Sequence, residues 1–267
     1  MASTFADRYG PWALVAGASE GLGEAFSRQL AEHGLNLLLI ARRADPLHAL
    51  AEQIRERHGV DVRELPQDLA DPDLAGKLGP QLEALEIGLL VYNAGYSHIA
   101  PFLETDLATK LLCVDVNCRG PLVLTSLLAP QMAERGRGGI LLMSSMAGFQ
   151  GSALVSTYAA TKAFDTVLGE GLWEELGRHG VDVLSFVAGA TRTPNFESQT
   201  PEDRKRSAFP MEPAAVAAQA LRQLGNGPTR IPGPVNKAAA FVMQRLLPRR
   251  AAVRFMSRTT RGIYERR

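Results

Sequence analysis

The sequence predicts an α/β protein: a single doubly wound parallel sheet with helices on both faces, followed by a basic helical extension. Three observations carry this reading. Short apolar runs at 12–16, 35–40, 60–65, 87–92, 139–143 and 181–187 alternate with segments of helical length and pattern. The first run is followed by a glycine-rich turn that opens a helix, which with the next run makes a βαβ unit. Gly17, Arg42, Asp68, Asn93, Ser145 and Gly189 all fall just after apolar runs, so a parallel sheet lines them up along the edge where ligands bind.

Composition agrees with an ordinary folded chain. Of 267 residues, 46% are hydrophobic and 21% charged, ample for a buried core. A net charge of +1 gives no reason to expect a nucleic-acid partner. Cys113 and Cys118 lack zinc spacing and are read as free thiols in a reducing compartment, with no metal site expected. The N-terminus has no apolar signal core, and no apolar run approaches the roughly 18 residues that span a bilayer. The expected location is cytoplasmic.

In order along the chain, Trp12–Ala16 reads as a strand, followed by Gly17-Ala-Ser19-Glu20-Gly21-Leu22-Gly23 and a helix to Glu32, closed by Gly34. Glycines in such a turn let main-chain amides approach a pyrophosphate at the helix N-terminus. The second run ends Ala41-Arg42-Arg43, with no acid until Asp45. A guanidinium there suits a ribose 2′-phosphate, so NADP(H) is expected over NAD(H). A helix at 45–58, a strand to Leu65, Asp68, a helix at 71–85 and a strand at 87–92 follow, the last ending Asn93-Ala94-Gly95. A long helical region at 107–135 contains Asn117, and its Pro121 and Pro130 predict kinks or a break. The fifth run leads to Ser144-Ser145, and the sixth to Ala188-Gly189-Ala-Thr191-Arg-Thr193-Pro194.

Ser145 and the segment Tyr158-Ala-Ala-Thr-Lys162 carry the chemistry. Positions four apart on a helix share a face, which puts the Tyr158 phenol beside the Lys162 ammonium. A nearby cation favours the phenolate, and a tyrosine tuned in this way acts as general acid or base. A hydroxyl at Ser145 would polarise the carbonyl that the tyrosine protonates.

From about residue 11 to 225 these motifs, in order and spacing, resemble the short-chain dehydrogenase/reductase family: Gly17-x-x-x-Gly21-x-Gly23, Asn93-Ala94-Gly95, Asn117, Ser145 and Tyr158-x-x-x-Lys162. The resemblance implies a Rossmann-type fold and nicotinamide-dependent interconversion of an alcohol and a carbonyl. It implies Tyr158 as acid/base, Lys162 as the group that tunes it and holds the nicotinamide ribose, and Ser145 as the group that orients the carbonyl. By the same resemblance Asn117 anchors a proton-relay water, Asp68 and Leu69 lie beside the adenine, Asn93 lies beside the adenosine ribose, and Gly189, Thr191 and Thr193 contact the cofactor. Two departures stand out: Ala188-Gly189 where Pro-Gly is common, and Glu20 where NADP-preferring members often carry a basic residue. The three-residue gap between Tyr158 and Lys162 argues against enoyl reduction.

Residues 191–212, rich in proline and polar residues, read as a substrate lid. Phe149, Leu154, Val155, Phe196, Phe209 and Met211 are expected around an apolar pocket, of which Phe149, Leu154 and Phe196 with Ser145 and Tyr158 form the substrate set. A domain at 1–234 is then followed by an extension, 235–267, with nine Lys/Arg and only Glu265 acidic. As a helix after Pro248 it puts Arg250, Arg254, Arg258 and Arg261 on one face, and Ala252, Phe255, Met256 and Ile263 on the other. It would dock on its own core or a second subunit; the alternative is an anionic membrane surface and lipid-borne ketones. The expected activity is NADP(H)-dependent reduction of an apolar ketone (steroid, ketoacyl or aromatic) or oxidation of the alcohol, by a homodimer or homotetramer. A non-catalytic nucleotide sensor or scaffold on the same fold is the rival, and it has no need of the full Asn117, Ser145, Tyr158, Lys162 set.

Overall fold

The computed structural model describes residues 4–264; Glu265, Arg266 and Arg267 of the basic tail lie outside the described residues. In chain order the elements are α1 (Phe5–Tyr9), β1 (Trp12–Ala16), α2 (Gly21–Glu32), β2 (Asn36–Ala41), α3 (Ala44–His58), β3 (Val62–Pro66), α4 (Leu74–Glu83), β4 (Ile87–Tyr92), α5 (Leu107–Val114) and α6 (Gly120–Arg135). They continue as β5 (Gly138–Ser145), α7 (Ser156–Gly177), β6 (Val181–Ala188), α8 (Pro194–Gln199), α9 (Pro213–Gln223), β7 (Thr229–Arg230), α10 (Pro234–Phe241) and α11 (Arg249–Tyr264). The seven strands form one parallel sheet in the order β3-β2-β1-β4-β5-β6-β7. Strand order reverses between β1 and β4, and a crevice opens there at the carboxyl ends.

Period-two alternation divides the strand side chains between two cores. Leu37 and Leu39 face one cluster with Phe26, Leu30 and Leu47, under α2 and α3. Leu38 and Ile40 face the other, with Leu78, Leu124 and Leu128, under α4 and α6. Burial on both faces is why these strands read as continuous apolar runs. β7 has only two residues, paired to Ser185 and Phe186 of β6, too few for any pattern to show in the sequence.

α5 and α6 join through a π-helical turn, Asp115–Arg119, into one helical run at 107–135. By length and composition alone this run could cross a bilayer, contrary to the expectation that nothing here approaches that length. Nearly half of its most apolar stretch is buried, with Leu124, Leu128 and Met132 in the core. Its break lies at the π-turn just before Pro121; Pro130 stays inside α6 without ending it.

α11 lies on the body of the protein. Thr260 Oγ1 and Ser152 Oγ are 2.8 Å apart, Ser257 Oγ accepts from Ala153 N at 3.0 Å, and Arg204 donates to the Gly262 carbonyl. Ala252 is buried and Met256 and Ile263 half-buried, as expected, but Phe255 is 57% exposed. The hydroxyls of Ser257 and Thr260 set the helix's rotation, and that rotation turns Phe255 outward.

Candidate active site

The turn after β1 can only be built from glycine. Gly17 has φ +80°, and a Cβ on it would lie 2.7 Å from Ala94 Cα; one on Gly23 would lie 1.9 Å from the Gly17 carbonyl oxygen. Asn93 Nδ2 donates to that oxygen at 3.1 Å and ties the end of β4 to the turn. Gly21 (φ +60°) abuts Thr193, the residue that caps α8. Glu20 precedes α2 without giving it a side-chain cap, so the first-turn amides remain for another acceptor. A backbone cradle closed by glycines at an uncapped helix N-terminus fits a pyrophosphate. Ser19 is half-buried in it and Leu22 buried beneath it.

Arg42 and Arg43 follow β2 on the same edge, both exposed. Arg43 pairs with Glu20 at 2.5 Å, so the acid inside the glycine turn is already matched by a guanidinium. Asp68 Oδ1 accepts from Ala70 N at 3.0 Å, and Leu69 is packed into the core. On the other side of the crevice Thr191 Oγ1 donates to the Gly189 carbonyl at 3.2 Å, and Asn236 crowds Gly189.

Asn117 lies fully buried in the π-turn. Pro121 has no N–H for the Asn117 carbonyl, which favours an irregular turn at this point. The Asn117 side chain accepts from Tyr96 N (2.8 Å) and donates to Tyr96 O (2.9 Å) and Thr161 Oγ1 (2.9 Å). It therefore fastens the loop after Gly95 to α7.

α7 carries Tyr158 and Lys162. Lys162 Nζ donates to Met143 O at 2.8 Å and to Asp165 Oδ2 at 2.9 Å, and lies 6.0 Å from the Tyr158 ring centre. Burial disfavours the ammonium, but the Asp165 carboxylate and the neighbouring Tyr158 outweigh it and leave the Lys162 pKa raised. Ser144 is buried and bonded to Lys162 O at 2.7 Å, which anchors α7 to β5. Ser145, half-buried, ends β5 and accepts from Ala147 N at 3.2 Å. Tyr158 lines a narrow cleft with His98, Phe102, Lys110, Leu154 and Val155.

Of the residues expected around the substrate, Leu154 and Val155 line that cleft. Phe149 does not. The short turn Met146–Phe149 packs against α7 at Gly148 and sends Phe149 to a second, outer cleft with Met243, Leu247 and Arg249. Phe196 is buried, Phe209 is 74% exposed, and Met211 packs on the sheet's core. Three residues here carried no signal in the sequence reading. His98 and Lys110 come from the loop and helix after β4, and Lys110 Nζ sits 3.9 Å over the Phe102 ring. Tyr264, near the end of the basic tail, sits beside Thr200 and close enough to Tyr158 to sense its charge; burial pushes its phenol up. Tyr264 shares a face of α11 with Ser257 and Thr260, but helical spacing alone does not say where that face docks.

Exposed His48 and Glu52 and half-buried Glu64 have ligand atoms within 4.8 Å of one another, but Arg55 pairs with both carboxylates.

A profile of the short chain dehydrogenase family matches residues 11–204. The chain is a short-chain dehydrogenase/reductase. As a member of that family it is an NAD(P)-dependent oxidoreductase. It is 33% identical to the 7beta-hydroxysteroid dehydrogenase of Clostridium sardiniense, over 87% of this chain and 89% of that one. It is 36% identical to a very-long-chain 3-oxoacyl-CoA reductase of Pyricularia oryzae, over 81% of this chain and 65% of that protein. Among solved structures, a 7beta-hydroxysteroid dehydrogenase superposes with a TM-score of 0.89 at 28% identity, over 95% of this short-chain dehydrogenase/reductase and 99% of that chain. A short-chain dehydrogenase from Sphingobium yanoikuyae, in complex with NADPH, superposes at 0.75 with 28% identity, over 89% of this chain and 96% of that one.

Proposed function

We propose that this enzyme uses NADP(H) to interconvert a secondary alcohol and a ketone on an apolar substrate, with Tyr158 as acid/base. The observation that carries the reading is the buried, charged Lys162 one helical turn from a tyrosine that lines a cleft. In reduction, the Tyr158 hydroxyl gives its proton to the developing alkoxide, and the Lys162 charge favours the phenolate left behind. The Ser145 hydroxyl donates to the same oxygen and stabilises its charge. Asn117 keeps α7 and the loop after β4 in fixed relation.

The residues that would hold the dinucleotide are the turn Gly17, Ser19, Glu20, Gly21, Leu22 and Gly23, then Asp68 and Leu69, Asn93 to Gly95, Tyr158 and Lys162, and Gly189, Thr191 and Thr193. Arg42 takes the 2′-phosphate, with Arg43 shared between it and Glu20. Bound there, the nicotinamide supplies or accepts the hydride. The NADPH bound to the Sphingobium yanoikuyae enzyme supports the choice of NADP(H).

The substrate is a steroid-like or long-chain ketoacyl ketone. The apolar wall of Leu154, Val155 and Phe102 supports this, as do the names of the hydroxysteroid and 3-oxoacyl-CoA relatives. Exposed Leu107, Leu111, Val114 and Leu122 along α5 and α6 support a homodimer or homotetramer. The free thiols Cys113 and Cys118 fit a reducing, cytoplasmic setting. The docking of α11 on Ser152 and Ala153 favours a tail that completes the protein's own surface over one that seeks a membrane. A screen of NADPH oxidation over ketosteroids, long-chain 3-ketoacyl thioesters and aromatic ketones tests the reading. Turnover of one of the first two classes is expected. Turnover of none of the three, by protein that binds NADPH, would contradict it.

A further inference from the structure

The mechanism above leaves one buried charge without a task. Asp165 follows Lys162 by three residues on α7, so the two side chains share a face. They pair at 2.9 Å, with side chains only 2% and 5% exposed. The second oxygen, Asp165 Oδ1, is buried and has no hydrogen-bond partner among the described residues. A carboxylate half-satisfied in a dry interior is costly, and a wholly apolar pair in place of the two charges would pack there at less cost. What the carboxylate offers is charge, placed against the cation of the Tyr158 pair.

The geometry points to Asp165 as a positioning residue: its carboxylate is the resident counter-ion of Lys162, and it draws the ammonium inward and limits how much of that charge reaches Tyr158. This inference rests on the acid/base reading of Tyr158 and adds a determinant to it. Lys162 has three N–H donors. Met143 O and Asp165 Oδ2 take two, both on the interior side, and Nζ is left 6.0 Å from the Tyr158 ring centre. The open side of the ammonium faces Gly95, where a Cβ would sit 3.8 Å from Nζ and 3.9 Å from Asn117 Oδ1. A lone ammonium one turn from Tyr158 would act on it in full; paired with Asp165, it acts as one end of a buried dipole.

The other titratable groups around the pair do not compete for this role. Cys113 of α5 and Cys118 of the π-turn are thiols pushed up by burial, Cys118 to about 12. Tyr92 of β4, on the far side of Asp165, is pushed well above the ordinary phenol range by burial. Tyr264 of α11, beside Tyr158, is raised by burial as well. Burial favours the neutral form of all four, and His98 and Lys110 line the Tyr158 cleft in parent and variant alike, so a change at Asp165 acts through Tyr158, Lys162 and Asp165 as the coupled set.

The test is the pH–rate profile of alcohol oxidation for the parent and for Asp165→Asn, which keeps the shape and removes the charge. The transition of the folded Asn variant should move to lower pH by about one unit or more, the shift expected when a close opposing charge is removed. Lys162→Met should move it the other way. A folded Asn variant with the parent transition would overturn the inference, and Asp165 would be packing only. Asp165→Glu keeps the charge and changes the shape. If Asn does not fold, a folded Glu variant with the parent transition upholds the counter-ion role, and a Glu variant that also fails to fold overturns it. A parent with no turnover on any ketone or alcohol refutes the acid/base reading instead, so the two failures are distinguishable.

Discussion

Arg43 and Glu20 meet across the glycine turn at 2.5 Å, and the pairing changes how the cofactor's ribose end is read. In the sequence Glu20 stands against NADP(H), since a carboxylate near a 2′-phosphate repels it. In the structure that charge is matched by Arg43, and Arg42 has no acidic partner among the described residues. Removing a charge-assisted contact typically costs about 1.5–3 kcal/mol. Arg42→Ala should therefore narrow the preference for NADPH over NADH by roughly tenfold or more, measured by fluorescence titration with both cofactors. Glu20→Gln should widen it, because Arg43 is then free for the phosphate. Equal affinities in the parent would contradict the assignment. At the same scale, Ser145→Ala should lower kcat with NADPH binding intact, through loss of a donor to the developing alkoxide, commonly worth on the order of 10²-fold. An unchanged kcat would pass that role to another donor; Ser144 is committed to Lys162 O.

At the scale of elements, α11 and the segment 191–212 pack against each other, and they illustrate what the sequence could and could not disclose. The helical period of the tail and the Pro-rich character of 191–212 were legible from pattern. Their meeting through Arg204 and Gly262, and the arrival of Tyr264 beside Thr200, depend on tertiary docking that no local pattern encodes. Phe149 lies outside the cleft that Tyr158 lines for the same reason, since a short turn after β5 decides which side of α7 it faces. Thr260→Val should loosen α11 by deleting its bond to Ser152, raising KM for a bulky ketone several-fold with little change in NADPH affinity. A KM unchanged from the parent would make the helix a bystander. The segment 191–212 is stapled by Lys205 to Glu197 at 2.6 Å and by Arg192 to Glu197 and Glu212. The hydrogen bond from Lys205 holds the Glu197 carboxyl below its ordinary 4.5. Such a group contributes its full stabilisation above about pH 4.5, and the contribution is lost as pH falls through the lowered native value. Limited pepsin digestion should accordingly cut within 191–212 more readily as pH falls below that point, and Lys205→Met should show the same sensitivity at higher pH. Cleavage independent of both would refute the staple.

For the whole molecule, the doubly wound sheet was legible because β1, β2, β4, β5 and β6 are buried on both faces and therefore read as apolar runs. The residues that end those runs, Gly17, Arg42, Asn93 and Ser145, necessarily share an edge once the strands are parallel. β7 and α1 escaped notice for want of length, and the counter-ion Asp165 because a lone acid on a helix looks like a solvated one. The account of the molecule stands on Tyr158 as its acid/base, and single-turnover NADPH oxidation with a ketone found in the screen, run on the parent and on Tyr158→Phe, tests that most directly. The Phe variant should keep the parent's fold and NADPH affinity and lose at least on the order of 10²–10⁴ in rate, as expected when a general acid is removed. A folded Phe variant that oxidises NADPH within a few-fold of the parent rate would contradict the account.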